Sequence, residues 1–143
     1  MISWTILTTI IATSMMTLFS YITAWIFKEP FKEPQLLAAL LEIFHFYSKR
    51  INHILGWLLH YMIGLLFILL YLFLKDKGWM AINLKSSLLY GAIIGFTGIL
   101  GWFIMFKLSL FRPKMTYWLY YTQLFFAHLI FAVSILFCHK TFM

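Results

Sequence analysis

The chain has 143 residues, room for one domain, of which 64% are hydrophobic and 10% charged, with a net charge of +7. A water-soluble fold of that composition could not cover its surface with polar groups, so an aqueous globular domain is excluded. The Lys and Arg residues sit in short clusters between apolar runs rather than in a stripe, which excludes nucleic-acid binding and points to anionic lipid headgroups.

Four runs contain no Asp, Glu, Lys or Arg: about 2–27, 55–74, 86–106 and 115–138. Each reaches the roughly 20 residues that an α-helix needs to cross about 30 Å of hydrocarbon. None alternates as the short strands of a membrane β-barrel do, and a backbone in lipid must satisfy its own hydrogen bonds. The pattern predicts an all-α integral membrane domain, a four-helix up-down bundle. The first run is too long for a secretory h-region and has no Lys or Arg before Lys28, so it reads as a retained helix. Thr5, Thr9, Ala12, Thr13, Ser20 and Thr23 share one broad face of it. That face predicts a packing seam or, more sharply, a polar lining for a ligand.

The first connection, residues 28–53, opens with a tandem Lys28-Glu29-Pro30-Phe31 and Lys32-Glu33-Pro34-Gln35. Its prolines stop the first helix and can start the next. From 35 to 49, Leu36, Leu37, Leu40, Leu41, Phe44 and Tyr47 share one side, and Gln35, Glu42, His45 and Lys49 the other. This predicts an amphipathic helix lying flat at the headgroups, or a lid on the bundle end. Glu42 with His45 is a minor candidate for a metal or a headgroup. The other links are short: Lys75-Asp76-Lys77-Gly78 closes the second span, and Arg112-Pro113-Lys114 precedes the fourth. Lys28, Lys32, Lys49, Arg50, Lys107, Arg112 and Lys114 fall on one side, and Lys75, Lys77, Lys85 and Lys140 on the other. The positive-inside rule then places the first and third connections in the cytoplasm and both termini in the periplasm.

Two histidines fall at membrane depth, His60 in the second span and His128 in the fourth. Each precedes a small residue by four positions, Gly64 and Ala132, and so shares its face with a point of close helix approach. Gly91, Gly95 and Gly98, continued by Trp102, form a GxxxG stripe on the third span. Whether that stripe meets a helix of the same chain or of a second copy is open. Three uses of the histidines compete: interhelical hydrogen bonds, axial ligation of a b-type haem, or a proton or polar-ligand site completed by Gln123, Tyr61 or Tyr121.

No Asp or Glu lies inside a span, which argues against a cation-coupled carrier built on carboxylates. No HExxH, cysteine cluster or Gly-rich phosphate loop occurs, and two deep histidines do not make a zinc site, so no metal is assigned. The single cysteine, Cys138, reads as an apolar filler. Boundary aromatics such as Trp79, Trp118, Tyr117 and Tyr120 fit an interfacial belt.

The stretch Gly56-Trp57-Leu58-Leu59-His60-Tyr61-Met62-Ile63-Gly64, the glycine run from 91 to 101, and Gln123-Leu124-Phe125-Phe126-Ala127-His128-Leu129-Ile130-Phe131 have a shared look. Together they resemble small bacterial inner-membrane proteins of four helices and unknown function. Ala132 stands where that resemblance would put a glycine. The resemblance implies residence in the bacterial inner membrane and no particular activity. The expectation is a non-enzymatic accessory, scaffolding or small-ligand-binding protein. Its partners would be membrane lipids, and either a membrane protein or a second copy of the chain. The alternatives are a haem-binding electron carrier and a small transporter of a neutral or protonated solute.

Overall fold

The computed structural model describes residues 2–44 and 47–142, and among these there are five helices and no strand. They are α1 (Ile2–Phe27), α2 (Glu33–Ile43), α3 (Lys49–Asp76), α4 (Leu84–Leu108) and α5 (Tyr117–Phe142). Four of them, α1, α3, α4 and α5, are long and apolar enough to cross a membrane. At 25 to 28 residues each, and about 1.5 Å per residue, they exceed the roughly 30 Å of a hydrocarbon layer.

Helix ends follow local chemistry. The Asn83 side chain accepts from the Ser86 amide at 2.8 Å and opens α4. Ser48 caps α3, which therefore begins at Lys49, six residues before the apolar run, and carries Arg50 and His53 on its first turns. At the other end, Gly78 takes a positive φ of 71°, which glycine adopts without strain. Lys28 does the same job after α1 with φ 54°, while the Glu29 amide reaches back to the Ala24 carbonyl at 3.1 Å. α2 starts earlier than the amphipathic pattern suggested, because Pro34 sits in its first turn, and it ends at Ile43. His45 lies outside the described residues.

The helices pack in the order α3–α1–α5–α4, with α2 against the start of α3. Contacting pairs count in opposite directions along neighbours. Trp4 meets His139 and Ser20 meets Gln123 between α1 and α5. Ser14 and Thr17 meet Tyr61 and His60 between α1 and α3. Tyr90 joins α4 to α3 through a hydrogen bond to the Phe67 carbonyl and an edge-on contact with Tyr71.

The hydroxyl-rich face of α1 is the seam of this assembly. Thr5, Thr9, Ala12, Thr13, Ser20 and Thr23 are all buried. Thr9, Thr17 and Thr23 donate to the carbonyl four residues back, which satisfies each hydroxyl without a partner helix and keeps the face thin. The opposite surface is apolar: Ile6, Leu18, Leu66, Phe96, Leu100, Phe126 and Phe137 are exposed. An apolar surface of that kind suits lipid rather than water.

Glycine brings the helices together at defined points. A Cβ on Gly91 would lie 3.0 Å from the Ala132 Cβ, and one on Gly95 would lie 3.1 Å from the Phe125 ring. The stripe of α4 is thus turned onto α5 of the same chain. A Cβ on Gly64 would strike the Thr13 hydroxyl of α1, and one on Gly56 the α2 backbone, with the Ala38 amide nitrogen at 2.8 Å. α2 spends its leucines on this contact, since Leu36, Leu37 and Leu40 are buried while Phe44 is exposed.

Candidate functional site

One internal cavity of about 190 Å³ lies among the long helices. Thr13 and Met16 of α1, Leu37 of α2, His60 and Phe67 of α3, Gly98 and Trp102 of α4, and His128 and Phe131 of α5 are on its wall. Glu33, the first residue of α2, is there too. Ile63 of α3 and Thr97 of α4 line it and are exposed, so its rim lies in the cleft between α3 and α4.

Glu33 is the residue that sequence reasoning missed. It is outside every span, in a charged turn, yet only 1% exposed. The chain folds back at Lys28, and this carries Phe31 and Glu33 inward until Glu33 touches α1 and α5. Ser20 precedes the end of α1 by seven residues, so at ~1.5 Å per residue the carboxyl sits about 10 Å inside the helix ends. A signal for this was present. Glu33 shares a helical face with Leu36, Leu37 and Leu40, three, four and seven positions on. The absence of acids from the spans therefore does not make the interior free of carboxyls.

Its surroundings are polar but incomplete. Glu33 Oε1 accepts from Ser20 Oγ at 3.0 Å and Gln123 Nε2 at 3.3 Å, and Gln123 Nε2 also donates to Ser20 Oγ at 2.6 Å. Glu33 Oε2, Gln123 Oε1 and the Tyr120 hydroxyl are buried without a partner. Burial pushes the Glu33 carboxyl up from 4.5 to about 7, its own backbone amide, Ser20 and Gln123 offsetting part of the desolvation.

The histidines are held from outside the cavity. His128 Nδ1 lies 2.8 Å from the Leu124 carbonyl, which can only accept, so Nδ1 carries the hydrogen. The rest of the ring packs on Gly98, where a Cβ would stand 2.7 Å from Cε1, and meets Phe67 edge-on. His60 Nε2 lies 2.9 Å from Thr17 Oγ1, whose one hydrogen goes to the Thr13 carbonyl at 2.6 Å. His60 Nε2 is therefore the donor.

Of the residues expected to form a ligand site, His60 and His128 share the cavity, and Gln123 sits behind it on Glu33. Tyr61 and Tyr121 stand apart. Tyr61 bonds Ser14 at 2.8 Å and stacks on Trp57 in a groove on the outer surface, and Tyr121 lies beside Tyr117 near Lys107 and Arg112. Gly64 and Gly98 line the cavity, whereas Gly91, Gly95 and Ala132 make the α4–α5 contact. Glu42 borders an open groove with Lys49, Arg50 and His53. Among the described residues no group of three His, Cys, Asp or Glu side chains could hold a metal ion.

A haem fits this site poorly. The cavity is smaller than the roughly 300–1,000 Å³ of pockets that enclose drug-sized ligands, and His60 Nε2 is already committed to Thr17. Comparisons with family models, curated proteins and solved structures return no match.

Proposed function

We propose that the chain is a non-enzymatic, small-ligand-binding protein of the bacterial inner membrane, with its ligand site inside the bundle. The observation that carries this reading is a cavity that gathers Glu33, His60 and His128 from three helices, far apart in the chain. Pockets for small molecules are mostly apolar with a few converging polar groups, and this cavity has that makeup. A ligand there would give packing contacts to the cavity wall and a hydrogen-bond partner to buried polar atoms that have none among the described residues.

In this reading the four long helices form an up-down bundle, and α2 sits at its interfacial end with Glu33 dipping below the headgroups. The hydrogen bonds from Thr116 to Glu29 support that topology, because they tie the third connection to the first. The basic residues of those two connections favour the cytoplasm for that end, with both termini periplasmic. Cysteine labelling of an introduced Gln35→Cys in intact cells tests the orientation: reaction with an impermeant reagent from outside overturns it.

The cleft between α3 and α4 supplies a lateral route from lipid to the cavity. A scaffolding role for the glycine stripe has less support, since α5 of the same chain covers it.

Gly101 provides the test of the site. It lines the cavity, and a Cβ there meets nothing within 4 Å. Gly101→Leu should fill the cavity without a clash. Mass spectrometry of gently purified protein is expected to find a small molecule in the wild type that Gly101→Leu lacks. Identical content in the two proteins counts against an intramembrane ligand site.

A further inference from the structure

The polar atoms around the cavity can be sorted by hydrogen-bonding role, and acceptors outnumber donors. His128 donates from Nδ1 to the Leu124 carbonyl, which leaves Nε2 an acceptor in the neutral ring. His60 donates from Nε2 to Thr17, which leaves Nδ1 an acceptor. The Thr97 hydroxyl gives its hydrogen to the Ile93 carbonyl at 2.9 Å. Glu33 lines the same wall, and its Oε2 is buried and unpartnered among the described residues. The donors on the wall are the Thr13 hydroxyl, also unpartnered, and the Trp102 indole N–H.

Charge points the same way. No Lys or Arg lines the cavity, and Lys75–Asp76 is the one salt bridge among the described residues. Among the described residues Glu33 forms no salt bridge. The groups facing it are Ser20 and Tyr21 of α1, Tyr120 and Gln123 of α5, and, around the cavity, His60 of α3 and His128 of α5. α4 contributes no titratable side chain to the cavity.

Resting on the ligand-site reading above, we propose that the occupant is a small lipophilic amine, bound as its ammonium ion with N–H groups on Glu33 Oε2 and its apolar body among Phe67, Trp102 and Phe131. An apolar cavity of about 150 Å³ accepts one benzene, so 190 Å³ suits a ring with one or two further heavy atoms. A metal ion is a poorer match. Calcium takes about six to eight oxygens and magnesium a rigid octahedron, whereas this wall offers one carboxylate and aromatic faces. Aromatic faces stabilise an organic cation. Where Glu33 is protonated, binding is an exchange: the carboxyl O–H bond breaks, the proton leaves to the medium, and the carboxylate pairs with the ammonium.

The test uses the full chain in lipid nanodiscs and isothermal titration calorimetry, with empty nanodiscs as the blank for partitioning. The probes are benzylamine, benzyl alcohol and toluene, which differ in the head alone. Benzylamine should bind roughly tenfold or more tighter than benzyl alcohol, as a charge-assisted hydrogen bond implies. It should bind more tightly as pH rises until Glu33 is ionised, and at lower pH it should release a proton. Glu33→Gln should lose the preference for benzylamine while keeping benzyl alcohol, and Gly101→Leu should lose all three. Equal affinity of the wild type for benzylamine and benzyl alcohol overturns the amine assignment while leaving the cavity reading in place. So does pH-independent benzylamine binding, which needs no variant to be seen. Failure of all three probes to bind the wild type overturns both.

Discussion

Replacing Glu33 by glutamine should change how the protein's stability depends on pH, with a sign and size set by the carboxyl's burial. The side chain is enclosed, it has no salt bridge among the described residues, and its proton is held to about pH 7 rather than 4.5. The difference, 7 − 4.5 = 2.5 units, at about 1.4 kcal/mol per unit, corresponds to about 3 kcal/mol. The folded state binds the proton more tightly than the unfolded state does. The contribution of this group is therefore fully present below 4.5 and is lost as pH rises through about 7. Wild type should weaken by up to about 3 kcal/mol between about pH 4.5 and 8, most steeply below 7. Glu33→Gln keeps an acceptor for Ser20 and Gln123 and cannot ionise, so its profile should lack that loss. The assay is SDS-induced unfolding in mixed micelles, followed by circular dichroism across that pH range for both proteins. Other titrating groups cancel in the comparison. A variant whose stability falls with pH as steeply as the wild type's would refute the reasoning, as would a wild-type stability that rises relative to the variant.

Two further outcomes test the packing. Gly56→Ala and Gly101→Ala are the same chemical change in long helices, but the first drives a methyl group into the α2 backbone and the second meets open space. Gly56→Ala should cost about 1–3 kcal/mol by overpacking, while Gly101→Ala should be neutral or stabilising by up to about 1 kcal/mol through helix propensity. SDS unfolding midpoints of the two variants check this, and equal midpoints would mean that α2 does not rest on α3. Lys28→Gly should stabilise by roughly 0.5–1 kcal/mol, because Lys28 holds a positive φ that glycine adopts freely. A loss of stability in the same assay would count against that turn.

Much of the architecture was legible in the residues. Composition and four uncharged runs sufficed for four long apolar helices, because a stretch of some 20 apolar residues has few other stable forms in lipid. The hydroxyl face of α1 was legible as a seam because Ser and Thr can satisfy themselves on the carbonyls four residues back. His60 and His128 stood out as the histidines at membrane depth. Boundaries were less visible. α3 extends back to Lys49 because a helix continues beyond the hydrocarbon once Ser48 caps it, and hydropathy does not register that extension.

The candidate site was legible only in part. Tyr61 directly follows His60 and so points about 100° away from it, while Tyr121 precedes His128 by seven positions, two turns and about 10 Å along the axis, and both border grooves outside the cavity.

Glu29 and Glu33 show most plainly where sequence stops. They occupy matching positions in a tandem Lys-Glu-Pro repeat and look alike as solvated turn residues. In the fold Glu29 stays at the end of the bundle, half-buried and bonded to Thr116, while Glu33 is enclosed against Ser20 and Gln123. Sequence alone determined that four helices are long and apolar enough to cross a membrane, because transfer free energy sums along a run of residues. Which of two like carboxyls entered the interior was decided by tertiary structure alone, because it depends on the direction in which the chain turns after Phe27 and on which helices, remote in sequence, meet it there.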